Sequence, residues 1–242
     1  MDNQEKKQHF EEVEQMKEQI KQLRAELKQE KKLRRQDQLR LLQAQVNPHF
    51  LYNILDAVIW LVEAGRQQDA VEMLAHLSKF FRISLSKGKD IITLKEEMEY
   101  TGSYMEMQQR CYHDIMDYEI TLPKELEEIC LPKFTIQPLA ENALYHGVKQ
   151  KRGKSKIRIV CQRQEEDILI IVQDDGIGIE PHKLKELKEA LENGKRVGFG
   201  MAAVHERMKL YYGKGYGVKI HSDYGKGTRV EVRIAKNVRQ NP

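Results

Sequence analysis

The chain is short of cysteine: its 242 residues include only Cys111, Cys130 and Cys161, far apart and odd in number. That argues against a disulfide framework and a CxxC metal site, and fits a reducing compartment. No apolar run approaches the ~18 residues of a membrane span, and no basic–apolar–small leader marks a secreted protein. The net charge is only +4, too small by itself to point to direct nucleic-acid binding. Glycine and proline are missing from residues 1–46. What is present is 40% apolar and 32% charged residues. That suffices for a real core in one or two domains, with a strongly solvated part beside it.

Three zones follow. In residues 1–38, Val13, Met16, Ile20, Leu23 and Leu27 recur at spacings of 3, 4, 3 and 4. They form the a/d seam of a coiled coil, flanked by Glu, Lys and Gln. The register then weakens and restarts at Leu39, Leu42 and Val46, a phase change that alters supercoiling locally. The zone reads either as a signalling helix or as a plain dimerisation leader. Its basic cluster (Lys28, Lys31, Lys32, Arg34, Arg35, Arg40) reads as a solvated face or as a contact with an anionic leaflet. Residues 39–112 read as a helix to Ala64, a stop at Gly65, a second apolar pattern through Phe81, and a helical stretch over 94–110. An αα-hairpin exposes one apolar face, which a second copy buries in a four-helix bundle. Residues 113–242 change texture. β-rich runs at 115–122, 156–162, 168–172, 218–222 and 228–234 alternate with helical patterns at 135–147, 181–192 and 199–211, amid most of the glycines. The fold class expected is therefore α plus α+β: a coiled coil leading into a dimeric four-helix bundle, then an α/β sandwich.

Four motifs carry chemistry. Asp174–Asp175–Gly176–Ile177–Gly178 follows the 168–172 strand. A carboxylate at a strand end can accept from an exocyclic amine, and the glycines allow close backbone approach to a flat base. Gly198–Phe199–Gly200 opens the 199–211 helix, where free N–H groups and the helix dipole favour phosphate. Asn142 and His146 are four residues apart on a predicted helix, and an amide oxygen suits Mg²⁺ bridging to phosphates. Asn47–Pro48–His49–Phe50–Leu51–Tyr52–Asn53 puts a proline in a helical pattern directly before a histidine, with Asn53 four residues on. Proline costs a helix interior roughly 3 kcal/mol, and such a broken rule tends to mark function. A neutral imidazole is a competent nucleophile toward a phosphoryl group near neutral pH. Each signal alone also fits a plain alternative: a β-turn, a loop–helix junction, a polar contact, a kinked core helix.

Taken in order, these motifs resemble the sensor histidine kinases with the short acceptor box NPHFLYN, the LytS-like and YesM-like branch. Phe81–Arg82–Ile83–Ser84–Leu85 looks closest to the YesM-like members, and the resemblance spans about Leu39 to Lys236. It implies a Bergerat-type ATP-binding domain and an ATP-dependent protein-histidine kinase. His49 would be the phospho-acceptor. Asn142 would hold Mg²⁺ against the ATP phosphates, with His146 in the same nucleotide site. Asp174 would read the adenine amino group in a pocket shaped by Gly176 and Gly178. Gly198 and Gly200 would cover the phosphates, Thr228 would help close the adenine pocket, and 193–199 would be a lid. The phosphoryl group would pass to an Asp of a response regulator, with AraC-type output implied for YesM-like members. A homodimer is implied. So is a cytoplasmic setting as the inner portion of a membrane receptor, with any membrane attachment through a missing N-terminal part.

The chain departs from the family at three places, the mildest being Met201 after Gly198–Phe199–Gly200 where the family has leucine. Phe50 follows the acceptor where many histidine kinases have an acidic base, and Cys111 stands where arginine is common. Two other functions compete. One is a gyrase-, Hsp90- or MutL-type hydrolase, whose water-activating Glu would fall at Pro138, with Glu141 turned roughly 100° away. The other is a non-enzymatic dimeric adaptor.

Overall fold

The computed structural model describes residues 48–84, 90–193 and 199–236. The 1–38 heptad seam, the basic cluster through Arg40, and Gly194 and Gly198 of the expected lid lie outside the described residues. The chain divides into two compact units, Met1–Leu55 and Asp56–Pro242. Of the first, only the opening of helix α1 (Pro48–Glu63) is described.

Helix α1 contains His49 and Asn53, and stops where the sequence predicts. Gly65 takes φ +72°, Arg66 N–H donates to Leu61 C=O (2.8 Å), and Gly65 N–H donates to Val62 C=O (3.0 Å). This is a glycine C-cap that satisfies the last carbonyls. Helix α2 (Gln67–Ser84) follows at once and buries Ala70, Met73, Leu77 and Phe80. Its stripe packs on α3 (Leu94–Cys111), where Phe80 stacks on Tyr100 at 4.5 Å. Other apolar side chains stay exposed: Ile59, Trp60 and Val62 on α1, Val71 and Leu74 on α2. Helix α3 is launched by a capping box: Glu96 N–H donates to Thr93 Oγ1 (3.1 Å), and Thr93 N–H donates to Glu96 Oε2 (2.9 Å).

The rest is α+β. A five-stranded sheet has the order β2-β4-β5-β7-β6, from Met116–Thr121, Ser155–Gln164, Asp167–Asp174, Gly227–Ala235 and Gly217–Asp223. The β2–β4 pair is parallel and the others are antiparallel. Ile157, Ile159, Cys161, Val218, Ile220, Val230, Val232 and Ile234 alternate inward. Charged partners such as Lys219, His221, Arg229 and Arg233 alternate outward, the period of a sheet with one packed face. Helices α5 (Pro181–Glu192) and α6 (Phe199–Tyr212) lie on that packed face. A separate two-stranded ribbon, β1 (Ile91–Thr93) with β3 (Cys130–Pro132), ties the start of α3 to the segment before α4 (Gln137–Asn142).

The predicted 135–147 helix is not uniform. Helix α4 ends at Asn142, and Ala143–Gly147 winds as one π turn, followed by a 3₁₀ turn at Val148–Gln150. Beside it, Arg110 supplies an ion pair that Cys111 cannot. Its guanidinium reaches Glu72 (2.7 Å), Glu106 (3.0 Å) and Asp69 (3.4 Å), so one cation joins α2 to α3. We expect Arg110→Met to lower the stability of the α2–α3 pairing by about 1–2 kcal/mol, read as a fall in urea midpoint that high salt diminishes.

Candidate nucleotide site

A cleft of about 460 Å³ opens between the sheet and helices α4, α5 and α6, and Asn142, His146, Asp174, Gly178 and Thr228 all line it. Asp174 ends β5 and pairs in register with Thr228 on β7. Its side chain is almost fully buried, and Oδ1 accepts from Gly176 N–H at 2.9 Å. A Cβ on Gly147 would sit 2.5 Å from that carboxylate. One on Gly176 would sit 2.3 Å from the Gly147 backbone. Two glycines thus let the chain close around a single carboxylate. Burial pushes Asp174 up to about 6, against the pull of the Gly176 and Thr228 N–H groups. Asp175 turns the other way, accepting from Lys156 N–H at 2.8 Å. Of the two adjacent acids, Asp174 is therefore the one in the cleft.

Gly178 has φ +73°, and a Cβ there would meet Asp223 O at 2.2 Å. The turn after β5 therefore lies flat against the β6–β7 hairpin. Ser222 Oγ locks the two together: it accepts from Ile179 N–H (2.9 Å), contacts Gly227 O (2.9 Å), and shares a hydrogen bond with Thr228 Oγ1 (2.9 Å).

At the other end of the cleft stands Asn142. The Cβ position of Gly200 lies 3.5 Å from Asn142 Nδ2 and 3.4 Å from Pro138 Cβ. The glycine that opens α6 and the amide that ends α4 are therefore neighbours. The π turn begins one residue later, and His146 reaches the same cleft; such turns recur at functional sites. Asn142 also fits Mg²⁺. Among the described residues no cluster of three or more His, Cys, Asp or Glu could hold a metal. One amide lining the cleft suits a cation held mainly by nucleotide oxygens and water.

Glu141 is not among the cleft-lining residues. It is half-buried near Tyr104 of α3, and burial pushes its carboxyl up to about 6.

Sequence reasoning missed the support beneath α4. Glu97, fully buried on α3, accepts from Ile136 N–H (2.8 Å) and Phe134 N–H (3.0 Å). Phe134 adopts φ 60° in the bend that launches α4. Arg207 of α6 donates to the Lys133 and Phe134 carbonyls, and Lys133 Nζ donates to Ser84 O at the end of α2 (2.7 Å). The signal was available: Glu97 sits in phase with Leu94, Thr101 and Met105, all buried. A charge within a buried stripe implies a partner.

Comparison with known proteins gives two family models. The model described as histidine kinase matches residues 37–116. The model described as histidine kinase-, DNA gyrase B- and HSP90-like ATPase matches residues 132–238. Sensor histidine kinase YesM of Bacillus subtilis is 34% identical over 200 residues, covering 83% of this chain and 33% of that protein. Sensor histidine kinase BtsS of Escherichia coli K12 is 29% identical, covering 82% of this chain and 33% of that one. Sensor protein LytS of Staphylococcus saprophyticus is 30% identical, covering 83% and 34%. The chain spans about a third of the length of these relatives. Together with a cleft that gathers Asn142, His146, Asp174, Gly178 and Thr228, these matches place the chain in the sensor histidine kinase family, consistent with its LytS- and YesM-like branch.

Proposed function

We propose that this chain is an ATP-dependent protein-histidine kinase that phosphorylates His49 and passes the phosphoryl group to an Asp of a response regulator. The observation that carries the reading is the cleft, with a sealed carboxylate at one end and an amide beside a helix-opening glycine at the other. Asp174 accepts the adenine amino group, and Gly176, Gly178 and Thr228 keep water from that bond. Asn142 would hold Mg²⁺, with His146 lining the same cleft. The N–H of Gly200 in the opening turn of α6 faces the developing charge, and the resemblance adds Gly198, which lies outside the described residues. Bound Mg²⁺ neutralises phosphate charge. A ring nitrogen of His49 forms the P–N bond as the bond from phosphorus to the β-phosphate oxygen breaks. ADP leaves, and the second ring nitrogen releases its proton to water.

The exposed apolar side chains of α1 and α2 favour a homodimer in which two hairpins form a four-helix bundle. The heptad seam before them has the same symmetry and gives a lever for control. An AraC-type regulator as acceptor, and a place as the cytoplasmic portion of a membrane receptor, follow from the resemblance to YesM. No helix among the described residues is long and apolar enough to cross a membrane. The cleft does not favour the hydrolase: Pro138 stands where its base would be, and Glu141 is not among the lining residues.

The test is incubation with γ-labelled ATP and Mg²⁺. The parent chain should acquire label that is lost in acid and kept in base, the stability of a phosphoramidate. His49→Gln should remove all label while ATP binding persists. Label that survives the His49 change would show a different acceptor.

A further inference from the structure

We propose that Tyr224, at the tip of the β6–β7 hairpin, is a nucleotide-binding residue whose ring stacks on the purine base at the mouth of the cleft. This rests on the reading of the cleft as an ATP site. Tyr224 lines the cleft yet is 56% exposed. Among the described residues its hydroxyl has no hydrogen-bond partner and its ring meets no other aromatic ring, so packing does not explain its place. Single exposed aromatics are ordinary on a surface. This one stands on a backbone fixed from two sides. Gly225 N–H donates to Ile177 O at 2.6 Å, and the Gly178 Cβ position lies 3.1 Å from the Tyr224 Cα. The residues that seal the Asp174 end therefore also set the height of the Tyr224 ring above the cleft.

The chemistry of the slot supports a base beneath that ring. Val172, Ile177, Ile179 and Val230 supply apolar walls between Asp174 and the mouth. A base held by its amino group on Asp174 lies along those walls, and its outer part passes under the hairpin tip. A tyrosine loses little conformational freedom when it stacks, having two side-chain torsions. Near the ring, Lys183 of α5 is paired with Glu180 at 2.9 Å, and both line the same cleft. An aromatic ring and a neutralised pair thus share the lining there, a surface that favours a flat uncharged heterocycle over a second phosphate group.

The experiment compares binding of Mg–ATP and of Mg–tripolyphosphate, which has no base, by calorimetry on the parent chain, Tyr224→Ala and Tyr224→Phe. Loss of one base–aromatic stack should weaken ATP binding by roughly tenfold in Tyr224→Ala. Tyr224→Phe should stay within about twofold of the parent, because the ring and not the hydroxyl does the stacking. Tripolyphosphate binding should be the same in all three. Equal ATP affinity in the parent and Tyr224→Ala overturns the proposal alone. So does an equal loss of ATP and tripolyphosphate, which would mean that the hairpin had shifted rather than lost a base contact. If the parent itself binds no ATP, the ATP-site reading fails and the proposal with it.

Discussion

Asp174→Asn is expected to melt at a higher temperature than the parent near neutral pH, and to bind ATP roughly ten- to a hundredfold more weakly. Both effects come from one carboxylate that burial pushes up to about 6. A folded value above the unfolded one means the fold resists the charged form. The penalty is absent below the ordinary carboxylate range near ~3.9, grows as pH rises through about 6, and is constant above it. A shift of about two units corresponds to roughly 3 kcal/mol at neutral pH, which an uncharged amide of the same shape relieves. Its carbonyl can still accept the Gly176 N–H, while an amine turned toward the Thr228 N–H takes back part of that gain. Binding runs the other way, because the ionised form is the better acceptor for an adenine amine. ATP affinity of the parent should be flat above about pH 6 and fall below it, while the variant should be flat throughout. Thermal melts and ATP titrations at acid and neutral pH read both slopes. A variant less stable at neutral pH, or one that keeps the acid fall in affinity, would refute this account.

Glu97→Ala should be the most damaging single change in the catalytic unit, at about 3–5 kcal/mol. It orphans the Phe134 and Ile136 N–H groups in a buried place, each costing about 1–3 kcal/mol, and leaves a void. Burial raises the Glu97 carboxyl, while those two N–H groups, that of Thr135 and nearby Arg207 hold it down. Glu97→Gln keeps one acceptor oxygen but turns an amine toward the other donor, so about half the loss should remain. Urea unfolding of the three proteins checks the order, with ATP affinity expected to fall alongside as the bend before α4 loosens. Equal midpoints for parent and Ala variant would show that the bend is held by Arg207 and the β1–β3 ribbon instead.

These two residues also show what was legible beforehand. Asp174 could be read from sequence, because a strand of consecutive apolar residues, an acid and two glycines are all local signals. The same locality explains why five strands, α2, α3, α5 and α6 came within a few residues of their observed bounds. Glu97 carried only half of such a signal: its place in the apolar stripe of α3 is local, but the partners that explain it lie about forty positions away. The three-residue strands of the β1–β3 ribbon have too few residues to show a period. The π turn is invisible to a 3.6-residue template, since Asn142 and His146 fit one face of a regular helix equally well. Tyr224 lies in a hairpin turn where sequence predicts only solvent, and its place depends on a glycine forty-six positions earlier.

Because β7 lies between β5 and β6, the last described strand to leave the ribosome is an interior one. Until about residue 235 has emerged, β5 has an open edge and β6 has nothing to pair with. An unfinished chain thus displays the unpaired edges that invite wrong partners. The Asp174–Thr228 pairing forms only at that late moment, so ATP cannot act as a template on the nascent chain. Translation that stalls before Gly227 should therefore yield a substrate for chaperones and proteases rather than a weakened nucleotide site, so that the sheet forms all-or-none with its last described strand.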